Sequence, residues 1–205
     1  MYIELIDLLR CTEAHEESQL VAAFNRVDGR HVIEAKLGCP VCGAEFFIRD
    51  GVAIFGDVTL GSPMIDTGGM YAFRISAFLA LSEPGKTVLL AGRLANVSAS
   101  VAETTGARVI SLNSPSPTRM LDNVAEIRGA STLPLASRSL DGIALDIAHT
   151  TPELLGESAR LLRPGGRLYV TSRTNLPPQF TIIALEDDEL IAELVGELVN
   201  LKSRR

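Results

Sequence analysis

Cys39-Pro40-Val41-Cys42 places two thiols two residues apart on a turn closed by Pro40 and Gly43. A turn of this kind aims both sulfurs at one point, as a metal ion or a redox pair requires. Upstream, Cys11 and His15 supply a second pair of soft ligands. The chain has three cysteines, so a Cys3His zinc site would use every thiol. Four protein ligands complete a zinc tetrahedron and leave no place for water or substrate, so the expected zinc is structural. Glu16 and Glu17 are alternative fourth ligands beside His15. Three buried thiols without metal, or a thiol-disulfide pair, are competing readings, although no thioredoxin-like βαβ pattern surrounds the motif.

A second group with chemical potential lies late in the chain. Asp146 and His149 follow a predicted strand, and a carboxylate three residues from an imidazole can orient it as a general base. Arg93 and Arg138 are expected near the same edge as anion ligands. The plainer expectation for all four is polar surface facing solvent. No G-x-S-x-G, H-E-x-x-H or Walker pattern occurs, so the catalytic residues, if there are any, remain unknown from sequence.

These residues need elements to hold them. Residues 19–27 and 30–37 flank Asp28-Gly29, a two-residue hairpin signal. With that turn, partners sum to about 57, which sets Cys39 opposite Ser18 and brings 11–18 beside the thiol pair. His31 falls near the hairpin tip, roughly 26 Å along a strand from Cys39, and is excluded as a ligand. A second hairpin is expected at Asp50-Gly51, between 44–48 and 52–55. Residues 1–57 thus read as a β-rich zinc domain too small for a large core, for which metal supplies folding energy. Residues 58–70 read as a linker.

From 71 to 205 helices and strands alternate. Helices are expected at 70–82, 96–105 (capped by Asn96 or Ser98), 117–126, 151–162 and 187–201. Strands are expected at 87–91, 107–112, 127–131, 142–146, 167–172 and 181–185. The run Glu186-Asp187-Asp188-Glu189 would complement the dipole of the last helix. This order predicts an α/β fold with a doubly wound, mostly parallel sheet, whose ligands bind beyond the carboxyl ends of the strands.

The chain has 205 residues, 46% of them apolar, and a net charge of −6, which argues against broad nucleic-acid binding. It lacks tryptophan and has few aromatics, which weakens any base-stacking surface. Glu4, Asp7 and Arg10 rule out a signal peptide pattern in residues 1–10, and no apolar run reaches membrane-spanning length. With an odd cysteine count, a cytoplasmic setting is expected.

Leu133-Pro134-Leu135-Ala136-Ser137-Arg138-Ser139-Leu140-Asp141-Gly142-Ile143 resembles the "LPF-x-D-x-S-F-D-x-V" segment of class I S-adenosylmethionine-dependent methyltransferases. Residues 157–168, from Glu157 through Arg163-Pro164-Gly165-Gly166 to Leu168, are similar to that family's "E-x-x-R-V-L-K-P-G-G-x-L". The resemblance covers 71–175 and implies a Rossmann-like methyltransferase sheet with two strands after the fifth, of which one is readable. Residues 1–57, with the CPVC turn and Ile48-Arg49-Asp50-Gly51-Val52, resemble the zinc-ribbon family that activates methyltransferases. In that family the ribbon is often a separate subunit; here the two would be fused.

The cofactor positions implied by the resemblance are altered. Where the family has an acid followed by G-x-G-x-G, this chain has Leu90, Gly92, Leu94 and Asn96. Asn113 replaces the acid that holds the ribose, and Gly129, Ala130 and Ser131 fill the stretch where an acid contacts adenine. Pro115, Ser116 and Pro117 stiffen the loop beside them. Losing two or three charge-assisted hydrogen bonds costs roughly 3–8 kcal/mol. The cofactor-binding set Gly92, Leu94 and Asn113 therefore reads as degenerate, with Leu94 expected to fill the methionyl space. The expected function is a methyltransferase-like zinc protein that has lost catalysis and serves as a binding, scaffold or regulatory partner, through a protein partner or self-association. The alternative is an active methyltransferase with an atypical cofactor pocket.

Overall fold

The computed structural model describes residues 1–57, 60, 69–116, 121–129 and 132–196. The strands are β1 (Val21–Asp28), β2 (His31–Gly38), β3 (Glu45–Arg49), β4 (Val52–Ile54), β5 (Thr87–Ala91), β6 (Arg108–Leu112), β7 (Val124–Arg128), β8 (Leu140–Leu145), β9 (Leu162–Val170), β10 (Phe180–Glu186) and β11 (Glu189–Leu194). The helices are α1 (Met70–Phe78), α2 (Ser98–Thr105) and α3 (Pro152–Leu161), with short 3-10 turns at Ile3–Leu8, Gly92–Val97 and Ile147–His149.

Among the described residues the eleven strands form one sheet in the order β1-β2-β3-β4-β7-β6-β5-β8-β9-β11-β10. The central run from β4 to β9 is parallel. β1 to β4 pair antiparallel on one flank, and β11 and β10 pair antiparallel on the other. The expected α/β fold is present, with both strands that the resemblance places after the fifth.

Every residue of β5 is buried, as befits a parallel strand covered on both faces. Its side chains alternate between two cores. Val88 and Leu90 join Ile75, Leu79, Val101 and Val109 beneath α1 and α2. Leu89 and Ala91 join Ile110, Leu154, Leu161 and Leu168 under α3. The second of these cores continues through Val32, Leu37, Ile48 and Ala53 to Tyr2, Leu5 and Leu9, so residues 1–57 share it with the parallel sheet. α3 starts where the sequence says it should: Thr151 caps it by accepting from Leu154 N at 3.3 Å, and Pro152 occupies its first turn.

Several expectations are corrected. The first hairpin turns at Gly29-Arg30, so Val21 faces Gly38 and Asp28 faces His31, two positions away from the expected register. The Asp50-Gly51 turn is as expected, with Arg49 facing Val52. Residues 124–126 of the expected helix 117–126 are strand β7, because the short, mostly apolar run Val124-Ala125-Glu126-Ile127 is buried in the sheet; periodicity alone does not separate such a run from helix. Residues 117–120 lie outside the described residues. Residues 189–194 of the expected last helix form β11, whose exposure alternates along the strand, and Asp187-Asp188 make a hairpin turn with Asp187 at φ 48°. The acidic run therefore caps a hairpin, not a helix; the rest of that expected helix, 197–201, is outside the described residues. Neither Asn96 nor Ser98 caps α2; Ser98 instead bonds Ser111 at 2.8 Å. Both outermost strands carry a register irregularity, at Asn25 in β1 and Ile183 in β10. No helix among the described residues is long and apolar enough to cross a membrane.

The two stretches that carry the methyltransferase resemblance meet through Glu157 and Arg160. Glu157 accepts from Leu133 N at 2.8 Å. Arg160 donates to Leu133 O at 2.9 Å and Leu135 O at 2.8 Å, and pairs with Glu157 at 2.6 Å. One planar guanidinium thus ties the connection before β8 to α3. Replacing Arg160 with Ala leaves those acceptors open and is expected to cost about 2–3 kcal/mol in urea unfolding. Arg160→Lys should recover less than half of this, since one ammonium cannot span the same acceptors.

Candidate functional site

The Cys39–Cys42 turn follows β2. Cys39 N donates to Ala44 O at 2.9 Å and Gly43 N to Cys39 O at 3.0 Å, with Gly43 at φ 75° closing the loop. The N-terminal segment returns beside it: Leu20 N donates to Leu9 O and Cys11 N to Ser18 O at 3.0 Å. The ligand atoms of Cys11, His15, Cys39 and Cys42 all lie within 4.8 Å of one another. Cys11 Sγ is 3.7 Å from Cys42 Sγ, and Cys39 Sγ is 3.4 Å from His15 Nε2. A zinc tetrahedron with ordinary bond lengths has edges of about 3.8 Å between sulfurs and about 3.5 Å between sulfur and nitrogen.

The four side chains could hold a metal ion, and their surroundings set their protonation. His15 Nδ1 lies 2.6 Å from Glu16 O. A carbonyl can only accept, so Nδ1 carries the proton and Nε2 turns its lone pair to the thiols. Burial pushes the Cys39 thiol up, but hydrogen bonds from the Val41 and Cys42 backbone and from the neighbouring thiols outweigh it and hold it at about 6. Burial and the other thiols push Cys11 up to about 11. The side chains of Glu16 and Glu17 are not in the cluster. Glu17 instead accepts from Ser137 N at 3.0 Å and pairs with Arg160 at 3.3 Å, fastening the ligand loop to the connection before β8. His31 stays outside, 3.7 Å from Asp122.

The second site lies at the carboxyl ends of the parallel strands. β5 ends at Ala91, and Gly92, at φ 60°, starts a 3-10 turn. β8 and β6 flank β5, so Asp146 and Asn113 emerge on either side of Gly92. Asp146 is buried, contrary to the solvated strand end expected. It accepts from His149 Nδ1 at 2.7 Å, from His149 N at 3.1 Å and from Arg93 N at 2.8 Å. Burial pushes the Asp146 carboxyl up, but these donors and the imidazole outweigh it and hold it below the usual carboxylate range.

His149 then reaches across the strand ends to Asn113, with Nε2 3.3 Å from Asn113 Nδ2. Asn113, at φ 52°, also donates to Gly129 O at 2.9 Å and accepts from Gly129 N at 3.1 Å. The space against Gly92 is therefore filled: a Cβ there would collide with Asp146 Oδ2 and lie 2.5 Å from His149 Nδ1. These residues do not fit a nucleoside cofactor in this arrangement. The polar groups that would grip it are bonded to one another.

This revises the residue reading. Leu90 and Leu94 are buried in the core beneath α1 and α2, and His149, not Leu94, occupies the room above Gly92. Asn113 holds protein groups where a ribose contact was expected. Ala130, Ser131 and Pro117 lie outside the described residues. Arg93 borders the crevice, but Arg138 precedes β8 and so lies at the opposite end of the parallel strands, where Arg163 Nε donates to its carbonyl at 3.3 Å. Sequence reasoning missed the His149–Asn113 contact. Its signal was the strand order, which sets the ends of β6 and β8 on either side of Gly92. Beyond Arg93 and Leu94 a cavity of about 830 Å³ opens toward Tyr71, Ile147 and the acidic tip of the β10–β11 hairpin.

No protein-family model and no curated protein sequence matches the chain. Among solved structures it is similar to the antibiotic-resistance methyltransferase Kmr, at 17% identity over 68% of this chain and 98% of that one, with a TM-score of 0.44. It is also similar to the [4+2]-cyclase SpnF, at 14% identity over 64% and 66%, TM-score 0.46. A third is phosphoethanolamine N-methyltransferase 2 of Haemonchus contortus with S-adenosyl-L-methionine, at 18% identity, 58% of this chain and 32% of that one, TM-score 0.42. The first-listed structure, a methyltransferase from Galdieria sulphuraria, is spanned over 44% of its length.

Asp146 has a depressed folded pKa, so its stabilisation is present above the unfolded value of about 4 and is lost as pH falls through the folded value. Asp146→Asn should cost about 1–3 kcal/mol at pH 7, and the difference should shrink as pH falls below about 4. Thermal unfolding of both proteins across that range checks this.

Proposed function

We propose that this chain is a zinc-stabilised protein of methyltransferase-like fold that does not take up S-adenosylmethionine at neutral pH and acts as a binding, scaffold or regulatory partner. The observation that carries this reading is the bridge Asp146–His149–Asn113–Gly129, which fills the space against Gly92. A nucleoside entering there would have to displace the imidazole and break the buried hydrogen bonds of Asp146 and Asn113. The lost acids at positions 90 and 113 remove the charged acceptors that would reward that displacement.

Zinc in this reading is held by Cys11, His15, Cys39 and Cys42 and supplies cross-linking, not catalysis. It joins the N-terminal segment to the turn after β2. A role as activator of a separate methyltransferase has less support, because β4 is hydrogen-bonded to β7 of the same chain. Partner docking falls on other surfaces.

Calorimetry at pH 8 with S-adenosylmethionine and S-adenosylhomocysteine tests the closed crevice. Binding weaker than about 1 mM is expected; binding at tens of micromolar or tighter overturns the reading in favour of an active enzyme with an atypical pocket. Metal analysis should return one zinc per chain. Cys39→Ser should lower that content and increase hydrogen exchange in residues 1–57, and full zinc content in this variant refutes the ligand assignment.

A further inference from the structure

We propose that Cys42 is a site of oxidation by hydroperoxides with Cys11 as its resolving thiol, so that a hydroperoxide exchanges the metal cross-link of the N-terminal segment for a disulfide. This rests on the metal-ligand assignment above.

The three thiols differ in what surrounds them. Cys42 is exposed, Cys11 is half-buried and Cys39 is buried. Cys42 sits on the turn after β2 and lines a recess of about 490 Å³ with Glu13, His15 and Val41. A small oxidant therefore meets this sulfur first. Cys11 Sγ lies 3.7 Å from it, close enough for the two sulfurs to touch.

Cys39 is the poorer partner for Cys42. It belongs to the main core, its sulfur accepts from the backbone of Val41 and Cys42, and it faces His15 Nε2 at 3.4 Å. Its own N–H and carbonyl close the turn. To join Cys42 it would leave the core and give up those donors. Cys11 is held by one backbone donor, at Glu13, and lies at the margin of the core.

The chemistry balances with one hydroperoxide. A thiol that ligates a cation does so as thiolate, the form that attacks peroxides. The Cys42 thiolate attacks the terminal oxygen, the O–O bond breaks, and the departing alkoxide takes a proton and leaves as alcohol. Cys42 is then a sulfenic acid. The Cys11 thiolate attacks that sulfur, the S–O bond breaks, and hydroxide takes a proton and leaves as water. Two electrons have passed from the two sulfurs to the peroxide.

Of the four ligands, Cys39 and His15 then remain, too few to complete a zinc tetrahedron. The new bond joins the same two segments that the metal joins. Oxidation thus empties the metal site while the N-terminal segment stays fastened to the turn after β2.

The test uses the full chain with its zinc, treated with one equivalent of hydrogen peroxide. Peptide mapping without reductant should find a Cys11–Cys42 bond within one chain, with Cys42 oxidised at least tenfold faster than Cys39. A chromogenic chelator should record one zinc released per bond formed, and a dithiol with added zinc should reverse both. Hydrogen exchange in residues 1–57 should be slower in the oxidised chain than in the reduced, metal-free chain. Cys11→Ser, which lacks the resolving thiol, should leave a sulfenic acid at Cys42 that a 1,3-diketone traps. A Cys39–Cys42 bond as the main product, disulfides between chains, or zinc retained after the bond forms overturns the proposal. A chain that carries no zinc yet forms the Cys11–Cys42 bond overturns instead the metal assignment and leaves the oxidation site standing.

Discussion

A carboxylate buried at the end of a parallel strand needs its donors close at hand. Asp146 finds them in the Arg93 backbone and in both the amide and ring of His149. That requirement organises the crevice. It fixes the turn after β5, pulls the imidazole over Gly92 and so delivers Nε2 to Asn113. Ring, amide and backbone then make a continuous chain of hydrogen bonds over the ends of four adjacent strands. Unpaired, each of these buried polar groups would cost about 1–3 kcal/mol; together they hold a conformation in which the ligand side of the sheet is lined by satisfied protein groups.

The Cys/His cluster and the crevice are two ends of one fold. The cluster lies beyond β2, and β2 reaches the parallel sheet through β3 and β4. Beneath them a single core runs from Tyr2 and Leu5 to Leu168 and Val170. Glu17 adds a direct polar tie from the ligand loop to Ser137 and Arg160. Arg160 belongs to the stretch that carries the methyltransferase resemblance, so that motif has structural duties here that do not depend on a cofactor.

The sequence made legible what is local or strictly periodic. The gathering of Cys11, His15, Cys39 and Cys42 was readable from residue type, spacing and a hairpin, and an error of one position in the turn did no harm, because the segment before β1 continues the pairing past the hairpin through Arg10 and Gln19. β5, β6, β8 and α3 were legible as apolar runs with clear punctuation. β7 and β11 were misread because Val124–Arg128 and Glu189–Leu194 suit either period, and pairing across the sheet decides between them. The closure above Gly92 was illegible for a different reason. Asp146 and His149 stood out, but their partner lies in another strand, and what Asn113 bonds depends on the backbone of Gly129.

The irregularities at Asn25 and Ile183 have a consequence for how this molecule meets others. Among the described residues the eleven-stranded sheet ends in two flanks, and Val21 and Phe24 on one, Ile182 and Leu185 on the other, are exposed apolar side chains. A straight outer strand with such side chains would recruit further chains by ladder extension, whereas an extra residue throws the ladder out of step partway along. Each bulge therefore works against an uninterrupted added ladder along its flank, and so against fibre-like stacking.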